Sequence, residues 1–140
     1  MSGLELSAEE VDGFLAEVFP QMAGRFTIER LEPMAARVAL KVSEADLRPG
    51  GTVSGPTMFT LADCAFYIAV LGMVGRKALT VTTNCSIDFM RKPAATNLVA
   101  DVRILKLGRL LAVGDVTVFS QGSDAPVAHA NITYAIPPKG

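Results

Sequence analysis

The spacing of apolar and polar residues changes three times along the chain, and each change marks a new kind of element. Val11, Phe14, Leu15 and Val18 recur at three- and four-residue steps, which predicts a short amphipathic helix. Ser7 caps it with Glu10 three residues on, the reciprocal pair of a capping box, and it ends near Pro20. The pattern then alternates over Gly24–Leu31 and again over Met34–Val42, two strands joined by a turn at Glu32-Pro33, with Val38, Leu40 and Val42 on one side. A polar, glycine-rich loop over 43–53 leads into the stretch Ser54–Leu71, which is apolar almost all the way round and predicts a helix surrounded by protein. Gly72 and Gly75 are expected to end it. Alternation returns over Ala78–Phe89, Asn97–Leu107, Leu110–Ser120 and Pro126–Tyr134, with turns at Lys92–Ala95, Lys106–Arg109 and Gln121–Asp124. Helix, two strands, buried helix and four strands make an α+β pattern in which one sheet could wrap one helix.

The central helix carries one residue that does not belong in an apolar element. Asp63 sits in its middle, and burying an unpaired carboxylate is costly enough to require a partner or a task. At the helix start, Ser54 suits a cap and Pro56 the first turn. Pro56 has no N–H, so the outward donors expected there are the amides of Gly55 and Thr57, at the positive end of the helix dipole. Such amides can hold an oxyanion. Gly55 and Asp63 are eight residues apart, roughly 12 Å along a helix at 1.5 Å per residue, too far to serve one carbonyl group together. A site using both is expected to be shared between two subunits, and its symmetry gives two equivalent sites.

Ser54-Gly55-Pro56-Thr57-Met58-Phe59-Thr60-Leu61-Ala62-Asp63 resembles the His-Gly-Gly-x-x-x-x-Leu-Ala-Asp motif of PaaI-type hotdog acyl-CoA thioesterases, in the wider 4-hydroxybenzoyl-CoA thioesterase superfamily. Ser54 stands where that family usually has His, and Pro56 where it has the second Gly. The resemblance covers roughly residues 20–136. It implies a hotdog fold, an antiparallel sheet curled around a long central helix, in a homodimer with a continuous sheet and often a homotetramer built as a dimer of dimers. It also implies roles: the Gly55 amide of one subunit polarises a thioester carbonyl, and Asp63 of the neighbour acts as base or nucleophile. Thr82 falls where these enzymes place a hydroxyl that holds the attacking water, and Asn84, on the same strand face, is a second candidate. Arg48 occupies the loop position where some relatives carry Asn near the acyl group.

Composition narrows the remaining choices. At 140 residues the chain is expected to form one domain; the resemblance makes it a single hotdog thioesterase domain over 1–140, with an N-terminal helix in 1–20 and the core in 21–136. A formal net charge of −1 argues against a nucleic-acid surface. Cys64 and Cys85 lie in apolar runs without a paired spacing, so neither a disulfide framework nor a metal site is indicated, and a cytoplasmic location fits. The start, Met1 to Ser7, lacks the features of a signal peptide. Residues 58–74 are apolar but short of the ~20 needed to span a bilayer, and Asp63 interrupts them; no membrane partner is expected.

The lone histidine, His129, lies in a terminal strand without a nucleophile motif and reads as structural. Asp63 itself has two readings, a structural acid bonded across the helix and a catalytic one; a thioester needs only a base or nucleophile and an oxyanion donor, which favours the second. The phosphates of coenzyme A need cations. Arg91-Lys92-Pro93 and Lys106-Leu107-Gly108-Arg109 close the ends of neighbouring strands, where the resemblance places nucleotide contacts; Ser54 and Arg48 join them as substrate-binding candidates, with solvent or a ligand carboxylate as the alternative for the Arg48 charge. The expected activity is hydrolysis of a small or aryl acyl-CoA with no cofactor beyond the substrate's own CoA. The rival is a non-catalytic hotdog protein that binds acyl-CoA or a fatty acyl ligand, which the missing family His favours and Asp63 opposes. A hydratase lacks its Asp and His pair here.

Overall fold

The computed structural model describes residues 3–22 and 24–138; the ends of the expected 1–140 domain, including Met1 and Ser2 of the leader reading, lie outside them. Helix α1 (Ala8–Val18) opens with the full capping box: Glu10 N–H donates to Ser7 Oγ, and Ser7 N–H to Glu10 Oε1. Strands β1 (Phe26–Glu32) and β2 (Ala35–Leu40) form a hairpin. Its turn is Pro33-Met34 rather than Glu32-Pro33, and Met34, expected in a strand, takes a left-handed φ of 66°.

Helix α2 (Gly55–Val74) follows, then β3 (Val81–Phe89), β4 (Leu98–Leu107), β5 (Leu111–Ser120) and β6 (Pro126–Ala135). All six strands are antiparallel to their neighbours, in the order β1-β2-β4-β5-β6-β3. Their inward residues, among them Val38, Leu98, Val116, Ala130 and Ile132, close on Leu61, Phe66, Ile68 and Leu71 of α2. This is the hotdog arrangement. Helix α2 is long and apolar enough to cross a membrane by composition alone, but 72% of its most apolar window is buried inside this protein.

Two expectations for α2 need correction. Gly72 does not end it: the helix continues to Val74, and Gly72 provides a close approach, since a Cβ there would sit 3.1 Å from the Leu31 side chain. Gly75 is the true cap, with φ 91°. Nor is the helix enclosed within one chain. Pro56, Phe59, Thr60, Asp63 and Cys64, spaced three and four apart, form a partly open stripe. That stripe runs beside β3, an edge strand that among the described residues pairs with β6 alone; Val81 and Phe89 of β3 are 56% and 52% exposed.

Candidate active site

Asp63 is half-buried, and two strands hold it. Thr82 Oγ1 of β3 donates to Asp63 Oδ1 at 2.7 Å, and Tyr134 OH of β6 lies 3.0 Å from the same oxygen and 2.9 Å from the Asp63 backbone carbonyl. Thr82 and Tyr134 are register partners, so both donors come from one place in the sheet. Oδ2 has no hydrogen-bond partner among the described residues. The carboxylate lines a 280 Å³ cavity with Val18, Phe19, Cys64, Thr82 and Tyr134. Burial, then the charge of Asp63, pushes the Cys64 thiol up to about 12 against a small opposing pull from Arg25, so this cysteine is no nucleophile at neutral pH.

Gly55 opens into a different cavity, of 680 Å³, shared with Arg48, Phe89, Arg91, Lys92 and Pro93. Its N–H finds no acceptor among the described residues. The Phe89 ring packs against its α-carbon, where a Cβ would sit 3.4 Å from the ring. The expected second donor is taken: Thr57 N–H is capped by Ser54 Oγ at 3.3 Å. Ser54 is occupied as well, because Thr57 Oγ1 spends its proton on Asp46 Oδ1, leaving the Ser54 hydroxyl to donate to Thr57 Oγ1 at 3.0 Å. Ser54 therefore serves the helix start in this structure and has no proton left over for a substrate.

Asp46 anchors that helix start. Arg25 grips both its oxygens at 2.9 and 3.0 Å, Ser43 N–H donates to Oδ2, and the Asp46 carbonyl accepts from Ser54 N–H. Burial alone would raise its pKa; the donors from Ser43 and Thr57 and the charge of Arg25 outweigh this and lower it. A folded-state pKa below the unfolded one gives stabilisation that is complete above the unfolded value and is lost as pH falls through the folded one. Asp46→Asn is expected to cost about 2 kcal/mol at neutral pH. The difference from the parent should shrink in urea titrations below about pH 4; a pH-independent difference would mean the charge is not what stabilises.

The family model described as the thioesterase superfamily matches residues 50–127, the segment from the glycine loop through β3 to the start of β6. The chain belongs to the thioesterase superfamily. A Silicibacter protein provisionally described as a thioesterase shares 52% identity and a TM-score of 0.89, covering 96% of this chain and 94% of that one. A mutant of the phenylacetic acid degradation protein PaaI of Thermus thermophilus is 28% identical, with a TM-score of 0.71, over 84% of this chain and 99% of its own. A Streptococcus mutans protein bound to acetyl CoA is 26% identical, with a TM-score of 0.70, over 80% and 88%. One curated relative, from Deinococcus radiodurans and provisionally named an esterase, is 37% identical over 92 residues; the match spans 66% of this chain and 61% of the relative's length.

Within this thioesterase-superfamily fold, the predicted residues fall into two groups. Asp63 and Thr82 meet in one cavity; Gly55, Arg48, Arg91 and Lys92 share the other. Asn84 does not share the face of Thr82, because a bulge between them turns it outward opposite Thr133. Nor do the two cationic turns adjoin. Arg91 and Lys92 follow the Phe89 end of β3, whereas Lys106, Gly108 and Arg109 sit at its Val81 end, where Leu107 pairs with Ala112 and Leu111 with Ala135. The ten residues of β4 set the turns roughly 30 Å apart. His129 lies on the outer face, its Nε2 2.8 Å from Asp115 Oδ2, which Arg103 also holds.

Sequence reasoning missed Tyr134 and Asp46. Tyr134 continues the inward row Ala128, Ala130, Ile132, where a phenol brings its hydroxyl among apolar neighbours. Asp46 stands three residues after Ser43, a capping spacing that the polar loop concealed.

Proposed function

We propose that the protein is an acyl-CoA thioesterase that hydrolyses a small or aryl acyl-CoA, with each active site completed across a homodimer. The observation that carries this reading is the carboxylate of Asp63, pinned through Oδ1 with Oδ2 unengaged, beside a cavity with an apolar wall. Oδ2 takes a proton from water as the water oxygen bonds to the thioester carbon, or attacks that carbon itself. The Gly55 N–H of the neighbouring subunit donates to the developing oxyanion. In the first case the proton held on Oδ2 passes to the CoA sulfur as the C–S bond breaks, leaving the free acid; in the second, C–S cleavage releases CoA thiolate and leaves an Asp63 mixed anhydride, which water hydrolyses to the free acid and the regenerated carboxylate.

The two half-sites support sharing, since acid and amide open into separate cavities of one chain. The β3 edge and the open stripe of α2 border a 510 Å³ trough between Phe59 and Phe89, a surface suited to a second copy. Antiparallel pairing of two β3 edges would set the Phe89 end of one against the Val81 end of the other. Arg91 and Lys92 of one subunit would then approach Lys106 and Arg109 of its partner, so that cations separated in one chain flank one nucleotide. Dimers of dimers and a cytoplasmic location remain part of this proposal, as does the single-domain reading of 1–140.

The test is free-thiol release from a panel of acyl-CoAs. Turnover is expected with short or aryl acyl groups, while tight binding without release would favour the non-catalytic reading. Within this scheme Lys92→Ala raises KM for acyl-CoA about fivefold with little change in kcat, because a phosphate contact remote from the breaking bond gives uniform binding. Acyl-pantetheine, which lacks the nucleotide, is the control. An equal KM effect on both substrates would remove Lys92 from the nucleotide site. Lys92 suits this test better than Arg91, whose Nε already donates to the Pro126 carbonyl.

A further inference from the structure

We infer that Tyr134 is a positioning residue for the acid of the active site, fixing Asp63 with Oδ1 bound and Oδ2 presented to the reacting water; this rests on the thioesterase reading above. The phenol hydroxyl touches Asp63 twice, at Oδ1 (3.0 Å) and at the backbone carbonyl (2.9 Å). A contact to the side chain alone would let the carboxylate swing with its helix. Bridging side chain and backbone of one residue restricts the torsions between them.

The hydroxyl is itself held. Tyr134 is 3% exposed, and its ring lies 5.4 Å from that of Phe66 at 48° and 6.0 Å from that of Tyr67 at 24°. Packed against both rings in a buried position, the Tyr134 ring has little room to move. Burial, followed by the Asp63 charge, raises the phenol's pKa, so the group remains a donor at any working pH. Thr82 supplies a second donor to the same oxygen from the partnered position on β3.

Thr82, and Tyr134 through the one proton it shares with the backbone carbonyl, both donate to Oδ1 and make the carboxylate asymmetric. The oxygen they engage is stabilised as an anion and is the poorer base; the other keeps its lone pairs for a proton. Tyr134 thus selects which oxygen reacts without touching substrate. Misplacing a reacting group by about an ångström is enough to cost orders of magnitude in rate, and one lost tether is a smaller disturbance than that.

Tyr134→Phe keeps the ring and removes the tether. In thiol-release kinetics kcat is expected to fall about tenfold with KM unchanged. Placed in an Asp63→Asn background, the same substitution should leave the residual kcat where it is, because the carboxylate it positions is gone, while its effect on melting temperature should be alike in both backgrounds. A kcat unmoved in the parent, or a fall of equal proportion in both backgrounds, would overturn the role and leave Tyr134 a packing residue. If Tyr134→Phe fails to fold, 4-fluorophenylalanine at this position keeps the ring and fills part of the hydroxyl's space without a proton to donate; it should lower kcat at constant KM, and an unaltered kcat would overturn the inference. A parent protein that releases no thiol from any acyl-CoA overturns the thioesterase reading and this inference together. An active parent indifferent to Tyr134→Phe overturns this inference alone.

Discussion

Asp63→Asn is expected to lower kcat for acyl-CoA hydrolysis about a hundredfold or more while leaving the melting temperature unchanged. The asparagine oxygen can accept from Thr82 and Tyr134 just as Oδ1 does, so both tethers survive. The amide nitrogen replaces Oδ2, which has no protein partner to lose among the described residues and lies on a half-buried side chain beside a cavity. What disappears is the basic oxygen. A structural carboxylate would behave in the opposite way, with a lowered melting temperature and a normal turnover number. That pattern would end the catalytic assignment.

Gly114→Ala is expected to cost about 3 kcal/mol, the upper end of what overpacking a core usually does, and so to lower the melting temperature by roughly 10 °C. A Cβ at this position would fall inside contact distance of the Arg103 carbonyl oxygen, 2.7 Å from Phe66 Cε1 and 3.0 Å from Ile104 Cα. Two of these neighbours are backbone of the adjoining strand, and the third is a fully buried ring. None can retreat without opening the β4–β5 ladder or displacing Phe66. Because Phe66 packs on Tyr134, activity should suffer with stability. A Phe66→Leu change combined with Gly114→Ala should recover part of the loss, by vacating the volume the methyl needs; urea midpoints for the four proteins decide it. Equal stability of Gly114→Ala and the parent would show that the glycine is not there for close packing.

Elements with a strong period were legible in the sequence. The apolar continuity of 54–71 and the alternation of the later strands report burial directly, and those boundaries differ from the observed ones by a few residues. What failed were inferences that depend on pairing. Asn84 left the face of Thr82 because of a bulge that no local pattern records. The cationic turns, each correctly placed at a strand end, proved to be at opposite ends once the strand order was known. Gly72 looked like a terminator because its real neighbour, Leu31, is distant in sequence. At the candidate site, Asp63 was visible because a carboxylate is out of place in an apolar helix, and Gly55 because it stands at a capped helix start with a free amide. Tyr134 breaks none, and only the fold discloses what its hydroxyl meets.

The sheet order also bears on how the protein is made. Strand β3 emerges from the ribosome in mid-sequence, yet among the described residues its one partner strand is β6, the last of the fold. Until β6 is synthesised, β3 has no strand to pair with and both of its backbone edges lack partners. Of the two tethers of Asp63, Tyr134 lies on β6 itself and Thr82 on the strand that β6 completes, so the pair is whole only once β6 is in place. A nascent chain stalled before β6 therefore carries the acid without its mounting and a sticky strand without cover, the species on which chaperones act.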